Sequence, residues 1–335
     1  MRTVRTAPHA DTGGAGGHSR ILGIGGYRPR QVVANAELCE AIDSTEEWIE
    51  TRSGIRERRF ASKDETLHSM AVAAAEQALM RARVDPMLID LVILASMSQL
   101  DQTPPLSVRV AHSIGARAGA ALDLSAACAG FCHALALASD AVRAGSAGHV
   151  LVIGAERMTD IVERTDRGSA FLFADGAGAV VVAAADAPGI GPVVRRADGA
   201  YSEALRMTAP WGDSTGARPW MRMDGRRIFR WAMDEVAPAA SEALRAAGVT
   251  PDGLGAFVPH QANLRIIDLM AERLGLGART AIARDVVRMG NTSAASIPLA
   301  LETLLTEGHA ASGDTALLVG FGAGLNYAAQ VVVLP

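Results

Sequence analysis

The stretch Asp123-Leu124-Ser125-Ala126-Ala127-Cys128-Ala129-Gly130-Phe131 joins the end of an apolar strand to the start of an Ala-rich helix. Cys128 therefore lies at a predicted helix N-terminus, where unpaired N–H groups and the positive end of the helix dipole favour a thiolate over a thiol. Small neighbouring side chains leave room for a bulky substrate on the sulfur. We expect a nucleophilic cysteine whose pKa lies below the usual value of about 8.5. The alternative, a buried structural cysteine, is the commoner state of a free thiol.

Two distant segments end in polar side chains at similar turns. Val258-Pro259-His260-Gln261-Ala262-Asn263 follows an apolar run, and Gly290-Asn291-Thr292-Ser293-Ala294-Ala295-Ser296 is a Gly-led turn that opens another Ala-rich helix. The ends of strands are the usual place for side chains that face a site in α/β folds. We predict that His260 and Asn291 donate hydrogen bonds into the cavity that holds Cys128, because a cysteine with a distant His and Asn is a recognised nucleophile arrangement.

Short apolar runs alternate with Ala-rich helical runs from about Arg20 onward. The near-continuous apolar character of the strands predicts sheets that are covered on both faces. We expect a mobile tail over residues 1–18, one half over 19–190 that carries Cys128, and a second half over 191–335 that carries His260 and Asn291. The predicted strands are 91–94, 150–153, 179–182, 256–260, 316–320 and 327–333, and the predicted helices are 68–83, 227–247, 263–274 and 293–305.

Composition excludes several classes of protein. A net charge of −4 gives no general attraction to nucleic acid. No apolar stretch reaches membrane-spanning length and the N-terminus has no apolar core of a secretory signal, so we expect a cytoplasmic protein without membrane contact. Three cysteines, an odd number, argue against a disulfide framework and fit a reducing compartment.

Two motifs resemble a metal site and a dinucleotide-binding site, but neither has all the residues that such a site requires. Cys128, Cys132 and His133 could share a helix face around a metal, yet zinc typically takes four ligands and no fourth is close in sequence. Gly320-Phe321-Gly322-Ala323-Gly324 resembles a dinucleotide fingerprint, but the third glycine position holds Leu325 and a strand follows instead of a helix. We therefore expect no metal and no dinucleotide.

Taken together, the motifs resemble those of β-ketoacyl-acyl carrier protein synthase III, a condensing enzyme of the thiolase superfamily. The resemblance runs in family order through Trp48-Ile49-Glu50-Thr51-Arg52-Ser53-Gly54-Ile55-Arg56, the Cys128 segment, Thr165-Asp166-Arg167-Gly168, His260, Asn291 and the glycines of 320–324. It implies an α/β protein with the five-layer αβαβα thiolase-like fold of two pseudo-symmetric halves. It also implies a homodimer formed by extension of a sheet.

The resemblance implies a reaction and roles for named residues. Cys128 would take an acyl group from acyl-CoA, and malonyl-acyl carrier protein would then lose CO₂ to give a β-ketoacyl product, with no permanently bound cofactor. His260 and Asn291 would stabilise the enolate, and the backbone N–H groups of Cys128 and Ala323 would form an oxyanion hole. The remaining implied residues are Trp48 and Arg167 around the adenine of CoA, Arg52 at its phosphate, Arg226, Arg230 and Arg265 for carrier-protein docking, and Thr103 as a gatekeeper from the partner subunit.

Related reactions require residues that this chain lacks. A thiolase needs a second catalytic cysteine in its C-terminal half, and no cysteine follows Cys132. Elongating synthases carry a histidine where this chain has Asn291, and hydroxymethylglutaryl-CoA synthases use a Glu base for which there is no matching motif. One alternative stays open, since some type III relatives use the same residues to pass the acyl group to an alcohol or amine. Neither the preferred starter nor the choice of fatty acid or polyketide pathway is predicted.

Overall fold

The computed structural model describes residues 17–116, 119–210, 216 and 218–335. The predicted tail, residues 1–18, lies outside this part of the chain except for its last two residues. His18 already pairs with Ala185 in the first strand, so regular structure begins before the predicted start near Arg20.

Strands and helices alternate along the described chain. The strands are β1 (His18–Tyr27), β2 (Gln31–Ala34), β3 (Glu57–Phe60), β4 (Leu91–Ala95), β5 (Ala120–Leu124), β6 (His149–Arg157), β7 (Asp175–Ala185), β8 (Val194–Ala197), β9 (Leu205–Met207), β10 (Met221–Met223), β11 (Ala256–Pro259), β12 (Ala281–Ile282), β13 (Thr315–Gly322) and β14 (Asn326–Val333). The α-helices are α1 (Ala36–Cys39), α2 (Glu46–Ser53), α3 (Leu67–Ala82), α4 (Leu106–Ile114), α5 (Gly130–Arg143), α6 (Gly225–Trp231), α7 (Ala237–Ala246), α8 (Leu264–Arg273), α9 (Val286–Met289) and α10 (Ser296–Thr306).

Two mixed five-stranded sheets form the framework. The first has the order β1-β7-β6-β4-β5, with β4 parallel to both of its neighbours. The second has the order β12-β11-β13-β14-β8, with β11 parallel to β12 and β13. Helix α3 packs on the first sheet, α5 and α10 lie between the two sheets, and α7 packs on the second sheet. The predicted αβαβα fold is therefore confirmed.

Small residues allow these layers to pack closely. Gly23 and Gly25 of β1 lie directly against the backbone of α3, where a Cβ atom would overlap it. A Cβ at Gly178 of β7 would lie 2.7 Å from Pro298 Cβ on α10. Glycine is thus required in these strands because only it lets a helix backbone come so near to the sheet.

The helix predicted over 227–247 is not regular. Between α6 and α7 the chain widens into a π-helical turn at Ala232–Val236. Pro238, near the start of α7, has no N–H to donate and its ring disfavours the tighter turn, which gives a physical reason for the local widening. None of the helices in the described ranges is long and apolar enough to cross a membrane.

Strand β5 differs from the expectation of a sheet covered on both faces. It is the edge strand of the first sheet, and each of its five residues is exposed or half-buried in the single chain. Leu122 at its centre is 41% exposed. An exposed apolar edge strand offers unpaired N–H and C=O groups to another chain.

Candidate active site

Three segments meet at the carboxyl end of β13. Cys128 lies in a 3₁₀ turn, Ala127–Ala129, between β5 and α5, and a Cβ at Gly322 of β13 would lie 2.8 Å from its amide nitrogen. His260 directly follows β11, and its ring lies edge-on to Phe321 of β13 with centroids 5.1 Å apart. Cys128, His260 and Asn291 are all buried, with exposed fractions of 3, 2 and 5%. The turn Ser293–Ala295, which follows Asn291, contacts the turn that carries Cys128. The structure therefore brings the segments of the predicted catalytic residues together in the protein interior.

The expectation of a lowered Cys128 pKa is wrong for the free protein. Burial raises the pKa of the thiol to about 12, the buried Glu156 carboxylate also raises it, and a hydrogen bond with the Ser293 side chain lowers it in part. The helix N-terminus favours the thiolate only through the few N–H groups of one short turn. Burial removes water from the whole thiolate, and this larger effect raises the pKa. Cys128 is consequently a neutral thiol at pH 7 until something takes its proton.

His260 is held as a neutral hydrogen-bond donor. Burial lowers its pKa to about 3. Its Nδ1 lies 2.8 Å from Ser296 Oγ, which also accepts the Gln261 N–H at 3.3 Å. Because the oxygen already accepts one proton, the Ser296 hydroxyl can donate to Nδ1, and this arrangement leaves the ring proton on Nε2. Ser296 was not identified as a site residue from the sequence.

Asn291 is fixed through its backbone and one side-chain oxygen. Its N–H donates to Leu172 O at 2.8 Å, and its own carbonyl accepts from Ala174 N at 2.9 Å. The Ser293 N–H donates to Asn291 Oδ1 at 2.9 Å. With Oδ1 engaged in this way, Nδ2 is the atom that remains to donate to a substrate oxygen.

A buried arginine secures the same loop from the other side. Arg58 donates to Phe171 O at 3.1 Å and to Asn35 Oδ1 at 2.6 Å. A Cβ at Gly290, whose φ is +67°, would lie 2.9 Å from Arg58 Cβ. Burial lowers the pKa of Arg58 to about 10, so the guanidinium stays charged at neutral pH. Its role here is structural, since it ties the 171–174 segment to the turn that carries Asn291.

Glu156 is a buried carboxylate that sequence reasoning missed. It is the penultimate residue of β6, has no exposed surface, and its pKa is raised by burial to about 7. The signal that indicated His260, a polar side chain at the end of an apolar strand, applies equally to Glu156. Its hydrogen-bond donors are Ser96 Oγ (3.2 Å), Met97 N (3.2 Å), Ser98 N (3.1 Å), Ser98 Oγ (2.5 Å), Ser293 Oγ (2.9 Å) and Ala294 N (3.4 Å).

Trp48, Arg52 and Arg167 lie together at the surface. The guanidinium carbon of Arg167 is 4.8 Å from the centre of the Trp48 ring, and that of Arg52 is 4.9 Å from it. The ring also packs edge-on against Phe171 at 5.1 Å. An adenine cannot lie between Trp48 and Arg167 at this separation, so Arg167, which is half-exposed, must move before a base can enter.

The other predicted residues lie on loops and on an exposed helix face. Arg226 and Arg230 are exposed on α6. Arg265 is exposed on α8, and its guanidinium carbon lies 5.7 Å from the ring centre of Phe229 on α6. Thr103 is exposed in the loop ahead of α4. Ala323 follows β13 and has a negative φ.

A metal site was not expected, and the described residues hold no group of three or more His, Cys, Asp or Glu side chains suited to a metal ion. Cys128 and Cys132 are both free thiols, and both are buried. The site's polar groups are a thiol, an imidazole, a carboxamide, one carboxylate and the hydroxyls of Ser293 and Ser296. This set can add a thiol to a carbonyl and stabilise a negative oxygen.

Comparison with known proteins agrees with this chemistry. Family models described as 3-Oxoacyl-[acyl-carrier-protein (ACP)] synthase III and its C-terminal part match residues 122–199 and 244–334. The beta-ketoacyl-[acyl-carrier-protein] synthase III of Streptomyces lividans is 55% identical over 321 residues, which are 95% of each chain. A synthase III of Mycobacterium avium is 48% identical over 319 residues, covering 94% of this chain and 95% of the relative.

Solved structures show the same likeness in three dimensions. The priming β-ketosynthase from the R1128 polyketide biosynthetic pathway superimposes with a TM-score of 0.93 at 55% identity, covering 95% of this chain and 96% of the other. The synthase III of Aquifex aeolicus VF5 superimposes with a TM-score of 0.87 at 38% identity, covering 94% and 99%. With sequence, fold and length in agreement, the chain belongs to the β-ketoacyl-[acyl-carrier-protein] synthase III family.

Proposed function

We propose that this chain condenses an acyl-CoA starter with malonyl-acyl carrier protein, giving β-ketoacyl-carrier protein, CoA and CO₂. The reaction would initiate fatty acid or type II polyketide synthesis. The observation that carries the proposal is the buried grouping of the Cys128 thiol with two neutral donors, His260 Nε2–H and Asn291 Nδ2–H. Such donors suit a reaction in which a negative oxygen forms out of contact with water.

In the first half-reaction, the sulfur of Cys128 attacks the acyl-CoA thioester. A tetrahedral intermediate forms, CoA leaves, and the acyl group stays on Cys128. The amide N–H groups of Cys128 and Ala323 are the proposed oxyanion hole, and the negative φ of Ala323 removes any need for glycine there. Gly322 packs closely on Cys128, and this contact fixes the position of the nucleophile relative to the end of β13.

In the second half-reaction, the malonyl thioester loses CO₂ and becomes a carbanion that attacks acyl-Cys128. His260 and Asn291 donate to the thioester oxygen, where the negative charge of the enolate collects. Neutral donors suit this step because they stabilise the charge without giving up a proton to the enolate. Decarboxylation drives the reaction, so the mechanism requires neither a metal nor a resident redox cofactor.

Recognition of the two substrates is assigned to the surface arginines. Trp48 and Arg167 are suited to stack on either face of adenine once Arg167 moves, with Arg52 placed to meet a phosphate. Arg226, Arg230 and Arg265 offer positive charge to an acidic carrier protein and to the phosphate of its arm. A cytoplasmic location fits the free thiols of the described chain.

A homodimer would complete the site. Strand β5 is an exposed edge, and Leu122 on it, Val108 on α4 and Leu137 on α5 are 41, 46 and 41% exposed. Pairing of β5 with its copy would extend the sheet and cover apolar surface. We propose that the exposed Thr103 loop then reaches the acyl pocket of the partner subunit.

The proposed function is tested by intact-mass spectrometry. Wild-type protein incubated with a panel of acyl-CoAs should gain one acyl group on Cys128 and lose it when malonyl-carrier protein is added, with release of CO₂. Cys128→Ala should gain none. Loss of the acyl group to an alcohol or amine without CO₂ release would instead support acyl transfer, and the absence of any adduct would refute the proposal.

A further inference from the structure

The Cys128 thiol must lose its proton to a neighbouring group before or during its attack on a thioester. The thiol is neutral in the free protein, and an attack on a thioester requires that the proton leave the sulfur. His260 is a poor acceptor because its ring is fully buried and its Nδ1 is engaged by Ser296. The site therefore needs another group that can take a proton.

Glu156 is connected to Cys128 through one side chain. The Ser293 hydroxyl donates to Glu156 Oε1 at 2.9 Å. The turn Ser293–Ala295 contacts the turn Ala127–Ala129 that carries Cys128, and the Ser293 side chain acts on the thiol to lower its pKa. A hydroxyl carries a single proton, so while it donates to the carboxylate it can only accept from the thiol. Ser293 therefore lies between the Cys128 thiol and a carboxylate that has no exposed surface.

We propose that Ser293 and Glu156 form a relay that accepts the Cys128 proton during acylation and returns it when the product leaves; the proposal rests on the assignment of Cys128 as nucleophile. As the S–C bond forms, the thiol proton moves to Ser293 Oγ and the hydroxyl proton moves to Glu156 Oε1. CoA departs as a thiolate and takes a proton from solvent. When the condensation breaks the acyl–sulfur bond, the Cys128 thiolate recovers the proton from Glu156 through Ser293.

The surroundings of Glu156 fit a group that exchanges a proton. Three of its donors are backbone N–H groups, which hold the carboxylate in place in either state, and the serine hydroxyls can reverse direction. Of the neighbouring ionisable side chains, Arg157 pairs with Asp160 at 3.6 Å, and Asp175 accepts from Ala61 N and Thr159. Because Arg157 and Asp175 interact with other groups, Cys128 is the titratable group that Glu156 can serve through Ser293.

The test compares the two half-reactions in matched variants. Glu156→Gln and Ser293→Ala each break the relay and keep the Ser293 N–H that holds Asn291. The controls are Asp175→Asn, another buried carboxylate on the neighbouring strand, and Ser139→Ala, a buried hydroxyl of α5 whose partner is Ser19 at 2.8 Å. Acylation of Cys128 by butyryl-CoA is followed by rapid quench and intact mass between pH 5.5 and 9, and decarboxylation of malonyl-carrier protein is measured separately.

We expect both relay variants to acylate about 10²-fold more slowly than wild type or worse, with decarboxylation near the wild-type rate. The wild-type acylation rate should rise through an inflection near pH 7, where Glu156 ionises, and Glu156→Gln should lose that inflection. The controls should behave as wild type.

The proposal is overturned if Ser293→Ala acylates at the wild-type rate, if Glu156→Gln keeps the inflection, or if both half-reactions fall together. Ser293→Ala is a small change on the same backbone, so it gives an answer even if Glu156→Gln does not fold. Wild-type protein that forms no acyl adduct would instead refute the proposed function.

Discussion

Replacing Asn291 should separate decarboxylation from acylation. In the structure, Oδ1 is occupied by the Ser293 N–H at 2.9 Å, so Nδ2 is the group that can meet the enolate oxygen. Removal of one such donor costs about 10²- to 10³-fold in rate, equivalent to about 2.7–4 kcal/mol of transition-state stabilisation. Asn291→Ala should therefore lower malonyl decarboxylation by that factor, while acylation of Cys128 continues.

Asn291→Ala also leaves the buried Ser293 N–H without a partner, which costs about 1–3 kcal/mol of folding free energy. Asn291→Asp is the matched variant, because it keeps an oxygen for that N–H and exchanges only the donor for an acceptor. We expect both variants to lose decarboxylation, with Asn291→Asp impaired at least as strongly because its charge opposes the enolate. Melting temperatures of the variants, measured in parallel, report the loss of folding stability separately from the loss of activity.

The assay is CO₂ release from malonyl-carrier protein under single-turnover conditions, beside acyl-adduct formation from acyl-CoA. A variant that acylates normally and fails to decarboxylate supports the assignment. Equal losses in both half-reactions for both variants, at unchanged melting temperature, would refute the inference that Nδ2 serves only the enolate.

Three further predictions concern the nucleophile and the two substrate sites. Alkylation of Cys128 by iodoacetamide in Glu156→Gln, which lacks the proposed relay, should still be rising at pH 10, because the pKa of the thiol is raised to about 12, and an inflection at or below about 8.5 would contradict this. Arg167→Ala should raise the KM for acyl-CoA, because about 1–3 kcal/mol of stacking on the adenine is lost. Turnover of acyl-pantetheine, which has no adenine, should not change. An equal effect on both substrates would exclude stacking. Thr103→Phe should lower kcat/KM for butyryl-CoA more than for acetyl-CoA. The difference should be about 1–3 kcal/mol of discrimination per methylene. Equal reductions for the two substrates would contradict the assignment of Thr103 as gatekeeper.

The layered fold is predictable from sequence because its signals are local. Continuous apolar strands and Ala-rich helices repeat over the chain, and each short turn between them places a polar residue at the end of a strand. The position of Cys128 ahead of α5 and that of His260 after β11 follow from this pattern. The π-helical turn before Pro238 was not predicted, although the proline that disfavours a regular helix there is present in the sequence.

The electrostatics of the site depend on tertiary structure. The helix N-terminus at Cys128 is visible in the sequence, but the depth at which the turn is buried is not, and burial decides the pKa. Ser296 and Ser293 are two serines in one short Ala-rich segment, with nothing local to indicate that one faces His260 and the other Glu156. Their roles become visible only when β6, β11 and the turn after Asn291 are brought together.

The backbone around the site has a consequence for engineering. Ala127 and Ser293 have φ values of +46° and +48°, a region that costs a residue with a side chain about 1–2 kcal/mol. Glycine at either position would relieve that cost, so selection for heat resistance alone would favour it. The same change would let the nucleophile turn and the Asn291 turn sample other conformations. Thermostable variants of this enzyme are therefore better sought on the surface, where stability can rise without loosening the two turns that hold the reacting groups.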